Sequence, residues 1–137
     1  MDPGGYNLPL SAYNTIEELD TKHQLTLRVR YSICAPQKDA ELEDFKRIVI
    51  TQQKKSESGF YKFNGLGENV VWSMYNNEHP TDHDKERLRN TLLWAAQQNI
   101  KCELKKIQAD FVRGFSRLVH NKFPLCVKVC EDLHFRR

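Results

Sequence analysis

Four side chains of types that zinc accepts follow one another near the C-terminal end of the sequence: His120, Cys126, Cys130 and His134. If residues 126–134 run extended, Cys126, Cys130 and His134 fall on one face. Residues four apart on a strand, however, stand roughly 13 Å apart, whereas zinc–sulfur bonds are about 2.3 Å. One ion cannot take both thiolates from a straight strand, and the same distance excludes a disulfide between them. A helix or tight turn would rescue the site, but Pro124, Val127 and Val129 favour a strand. The expectation is a pair of reduced thiols, with no metal and no cofactor.

A second cluster, His79, Asp82, His83 and Asp84, has the acids and imidazoles for metal binding or proton transfer. The same residues also account for a turn and a helix start. Thr81 and Asp84 have capping-box spacing, and Asp82 and Asp84 lie where a helix dipole favours negative charge. Cys34 precedes Pro36 and is placed at a strand end, but no histidine is spaced as its base. Gly65-Leu-Gly67 lacks the further glycine, or the Gly-Lys-Ser/Thr, of a phosphate-cradling loop.

Charge gives the broader signal. Residues 101–137 carry nine Lys or Arg against four Asp or Glu. Residues 107–120 have helical periodicity, with Ile107, Phe111, Val112, Phe115, Leu118 and Val119 on one side. Lys106, Arg113 and Arg117 fall on the other. With Lys105 and Lys122, these cations are the candidate surface for an anionic partner: RNA, a ribonucleoprotein or acidic lipid. The bland reading is a solvated helix face. Arg113-Gly-Phe-Ser-Arg-Leu-Val119 echoes the opening of the RNA-recognition signature, but on a helical pattern instead of the third strand. Contacts of this kind would give affinity without sequence preference.

These residues must be held by a domain. The chain has 137 residues, 39% hydrophobic and 28% charged, with a net charge of +3. That suits one domain with a sufficient core. No apolar run approaches the roughly 20 residues that span a bilayer. The opening residues lack the basic and apolar regions of a secretory signal, so the expected compartment is cytoplasm or nucleus, where the four cysteines stay reduced.

Residues 1–22 read as an arm, flexible or strapped onto the domain through Tyr6, Leu8, Leu10 and Tyr13; residues 23–137 read as a single domain. Alternation from Leu25 to Ile33 predicts a strand. A helix follows with Asp39 as its cap and Leu42, Phe45, Ile48 and Val49 facing in. Phe60–Phe63 and Val70–Tyr75 predict two strands joined as a hairpin. A helix from Thr81 to about Gln98 buries Leu88, Leu92 and Ala95. Ile100, Cys102 and Leu104 predict a strand, then comes the basic helix, and Leu125, Val127 and Val129 close the sequence of elements. The predicted order is β-α-β-β-α-β-α-β. This is an α+β fold: a mostly antiparallel sheet of 4–5 strands and three helices, with a ferredoxin-like core and a C-terminal helix–strand extension.

Leu93 and Trp94 lie opposite the buried face of the second helix. They predict contact with the arm, self-association as a homo-oligomer, or docking of a protein partner.

The expected function is a non-enzymatic binding or assembly module. A Pro- and Tyr-bearing arm ahead of a compact basic domain is similar in layout to small matrix or accessory proteins of RNA viruses. That resemblance implies a basic face meeting acidic lipid or ribonucleoprotein. The alternative is a small zinc-stabilised regulator or a cysteine- or histidine-dependent enzyme.

Overall fold

A computed structural model describes residues 10–55, 60–67, 69–74, 79–105 and 127–130. Their elements are α1 (Leu10–Thr21), β1 (Val29–Ile33), α2 (Glu41–Lys55), β2 (Tyr61–Leu66), α3 (Asp82–Gln97), β3 (Cys102–Lys105) and β4 (Val127–Cys130). The strands form one sheet in the order β1-β2-β3-β4. Every neighbouring pair is parallel.

This overturns the antiparallel, ferredoxin-like expectation. The difference arises at residues 70–74, within the Val70–Tyr75 run whose composition predicts a hairpin strand. Val70, Val71 and Met74 are all wholly buried, with no alternation, and Trp72–Met74 is a single 3-10 turn. Residues 64–66, expected in the hairpin loop, instead extend β2 to Leu66. With that hairpin strand gone, α2 and α3 each become the crossover between consecutive strands, and a helical crossover joins parallel neighbours. Right-handed crossovers in such an order put the helices on one face. The contact between α2 and α3 agrees with this.

The helix-covered face is identified by Tyr31, whose hydroxyl donates to Gln52 Oε1 of α2 at 2.9 Å. Tyr31 also stacks on Tyr61, with ring centroids 4.5 Å apart, and meets Tyr13 of α1 at 5.2 Å. Burial pushes the Tyr31 hydroxyl up to about 12, and the Tyr61 hydroxyl upward as well. Both therefore stay neutral under ordinary conditions. Phe45, Val49, Leu66, Leu88, Ala95, Cys102 and Leu104 complete the core, each wholly buried. The larger of these, Phe45, Val49, Leu66, Leu88 and Leu104, contribute roughly 1.5–3 kcal/mol each on burial.

Helix ends set the loops. Thr81 forms the predicted capping box with Asp84, which accepts from the Thr81 N–H and whose own N–H donates to Thr81 Oγ1. At the other end of α3, Asn99 takes φ +60° while Ile100 N–H donates to the Ala95 carbonyl at 2.8 Å. This is the left-handed reversal that commonly closes a helix, and asparagine tolerates it. Asp39, expected as the cap of α2, instead turns with φ +68° and pairs with Arg87 of α3.

Candidate anion-binding face of the sheet

Side chains alternate across a strand, so the face opposite Tyr31 carries Arg30 of β1 and Lys62 of β2. These two are register partners and both are exposed. The same alternation, continued one step towards the strand starts, brings Arg28 beside Phe60. The Arg28 guanidinium lies 5.7 Å from the centre of the Phe60 ring, and Phe60 is 44% exposed. Further along β2, Asn64 Nδ2 donates to Glu103 Oε1 of β3 at 3.1 Å.

Lys101 completes the group because of Gly65. Gly65 has φ +149°, and a Cβ there would stand 2.2 Å from the Lys101 carbonyl oxygen. Only glycine permits that approach. It allows the Leu66 N–H to donate to the same oxygen at 2.8 Å, which locks the start of β3 against β2. A depression of about 310 Å³ results, lined by Arg30, Lys62, Asn64, Asn99 and Lys101, with Phe63 and Ile100 also contributing. Towards the strand ends the character of this face changes, since Ser32 and Cys34 are buried.

Among the described residues, most cations elsewhere are paired, whereas this face sets two unpaired cations in register. Lys22, Lys46, Arg47, Lys85 and Arg87 each pair with a carboxylate. Among the described residues, Arg30, Lys62 and Lys101 form no ion pair. Arg30 and Lys62 sit side by side, where like charges repel, and Glu103 is the one carboxylate the described part of this face supplies. A bound anion would relieve that repulsion and be drawn in by it.

The other sequence candidates fall as follows. Lys105 ends β3, in register with Cys130 of β4. Lys106, Arg113, Arg117, Lys122, His120, Cys126 and His134 lie outside the described residues. Leu93 and Trp94 are both half-buried on α3, and Trp94 packs against the core. Asp82 pairs with Lys85 at 2.8 Å, and that hydrogen bond lowers its pKa. Asp84 accepts from Ser73 and Thr81, which hold its carboxyl down at about 2. Among the described residues, no group of three or more His, Cys, Asp or Glu could hold a metal ion. Cys34 and Cys102 are both buried. Burial pushes the Cys102 thiol up to about 12, which makes it a poor nucleophile.

Sequence alone does not single out Arg28, Arg30, Lys62 and Lys101 as a group. The alternation in Arg28-Val29-Arg30-Tyr31 and Tyr61-Lys62-Phe63 put them on a polar face. Their meeting depends on the parallel pairing of β1 with β2, which no short-range pattern encodes.

Compared with known proteins, the chain matches no family model, no curated protein and no solved structure. Among the described residues, no helix is long and apolar enough to cross a membrane.

Proposed function

We propose that the protein is a binding module that docks a phosphate-bearing, anionic partner on the exposed part of the sheet face around Arg30, Lys62 and Lys101. The observation that carries this reading is the register pairing of Arg30 with Lys62, both exposed and neither paired with a described carboxylate. Placing two cations side by side costs the fold electrostatic repulsion, and a ligand that needs them offsets that cost. The neighbouring Asn64 and Asn99 add amide donors and acceptors at the rim.

Contacts of this kind are made by point charges and forks to phosphate oxygens, and they are salt-dependent. An RNA or ribonucleoprotein partner would place the protein in the cytoplasm or nucleus. Trp94 has no part in the proposal, because its side chain is already packed against the core.

Titration of 15N-labelled protein with heparin, a generic polyanion, tests the reading by amide chemical shifts. Arg30, Lys62, Asn64 and Lys101 should move together and saturate. Shifts confined to residues 106–137 would transfer the docking surface to the C-terminal basic segment and reject this one.

A further inference from the structure

Resting on that docking surface, we infer that its preferred ligand is single-stranded nucleic acid, with Phe60 as the platform on which a base stacks. A face made only of cations would accept any polyanion. This one carries an aromatic ring at its edge, 44% exposed, with the Arg28 guanidinium over one face at 5.7 Å and the other face left for a base. Aromatic faces bind bases irrespective of sequence, and guanidinium groups stack on the same planes.

The spacing suits an extended strand. Phe60 begins the row and Gly65, which seats Lys101, ends it, so the row spans roughly 17 Å of β-strand. Between them Lys62 and its register partner Arg30 stand where a backbone running along β2 would pass. Asn64 and Asn99 present amides beside the depression, able to read base edges.

A duplex fits this arrangement poorly, because its bases are stacked on each other and offer no free face to Phe60. An acidic membrane is the main rival, since Leu27, next to Arg28 in sequence, is 71% exposed and would insert with Phe60 among lipid headgroups.

Binding of the full chain is measured by fluorescence anisotropy with a labelled oligouridylate, a labelled RNA hairpin duplex and labelled heparin, and by co-sedimentation with phosphatidylserine vesicles. The wild type should favour the oligouridylate over the duplex by about tenfold. Phe60→Ala should weaken oligouridylate binding by about tenfold and leave heparin binding within about twofold, because stacking supplies base affinity and no charge. Phe60→Trp should keep the preference, which guards against Phe60→Ala acting through the fold.

Equal affinity for duplex and single strand, or a Phe60→Ala loss shared with heparin, would overturn the stacking assignment and leave docking standing. Vesicle binding that Leu27→Ala abolishes, with no single-strand preference, would reassign the face to membrane. Failure of all four probes to bind would remove the docking reading itself.

Discussion

Arg87 of α3 reaches across to Glu41 at the first turn of α2 and closes an ion pair with it. Glu41 is only 2% exposed in its side chain. Glu41 Oε1 also accepts the backbone N–H of Trp72 at 3.2 Å, and the Trp72 indole N–H donates to the Ala35 carbonyl at 2.7 Å. One carboxylate thus ties both crossover helices to the 3-10 turn beside the C-terminal ends of the strands. The pair holds the architecture that the docking face depends on, from the opposite end of the sheet.

Removing one partner strands a charge in a site with little solvent. Arg87→Ala should therefore destabilise the protein by about 3 kcal/mol. Arg87→Met combined with Glu41→Gln should recover most of that loss, since the buried carboxylate goes with its partner. Urea denaturation of the two variants checks this. A loss equal in both would show that the intact ion pair itself carries the stability, and that neither the Arg87 stem nor relief of the unpaired Glu41 charge recovers it.

Asp84 gives the fold an acid dependence. Hydrogen bonds from Ser73 and Thr81 depress its folded pKa from 3.8 to about 2. A depressed pKa means that the stabilisation is complete above the unfolded value and is lost as pH falls through the folded one. Melting temperature should be level above about pH 5 and drop between about pH 4 and 2. Asp84→Asn should start lower and show a smaller drop across that interval, as thermal melts at a series of pH values would reveal.

Much of this was legible in the sequence. The Thr81–Asp84 spacing announced the start of α3, and the apolar spacing of Phe45, Ile48 and Val49 announced α2. Strands at Val29–Ile33, Cys102–Lys105 and Val127–Cys130 were also visible. Strand direction was not. The run Val70–Val71–Trp72 has the composition of a strand but lies wholly or partly buried around a 3-10 turn; tertiary burial overrode its β propensity. That one error turned a parallel sheet into an antiparallel one. It also hid the meeting of Arg30 with Lys62, because register belongs to the fold and not to either strand.

Gly65 links fold to site more sharply than any other backbone position described. Gly65→Ala puts a methyl group 2.2 Å from the Lys101 carbonyl oxygen and keeps φ at +149°. Both effects are unfavourable, and the expected destabilisation is about 3 kcal/mol. Whatever folded protein survives should bind heparin more weakly, because Lys101 is pushed from the group. Denaturation midpoints and heparin affinity measured on the same sample would test both halves. An Ala variant of unchanged stability would mean the Lys101 carbonyl is not held against β2.

Cys102 should be chemically silent. Its thiol is wholly buried and pushed up to about 12, so the reactive thiolate is scarce in the native state. Iodoacetamide at mildly alkaline pH should leave Cys102 unmodified in folded protein and alkylate it after denaturation, as peptide mass spectrometry would show. Rapid native labelling would place Cys102 in an open position and contradict its assignment to the core.

The most direct test of the docking face is the salt dependence of oligouridylate binding for the wild type and for the double substitution Arg30→Gln with Lys62→Gln. Both positions are exposed and the substitutions remove a like-charge pair, so thermal stability should be level or slightly raised. Loss of two phosphate contacts should weaken binding by about tenfold or more and make the log–log salt slope shallower by about 1.4. An unchanged affinity and slope in that variant, with binding lost instead in Arg113→Glu with Arg117→Glu, would contradict the assignment of the sheet face as the anion-docking surface.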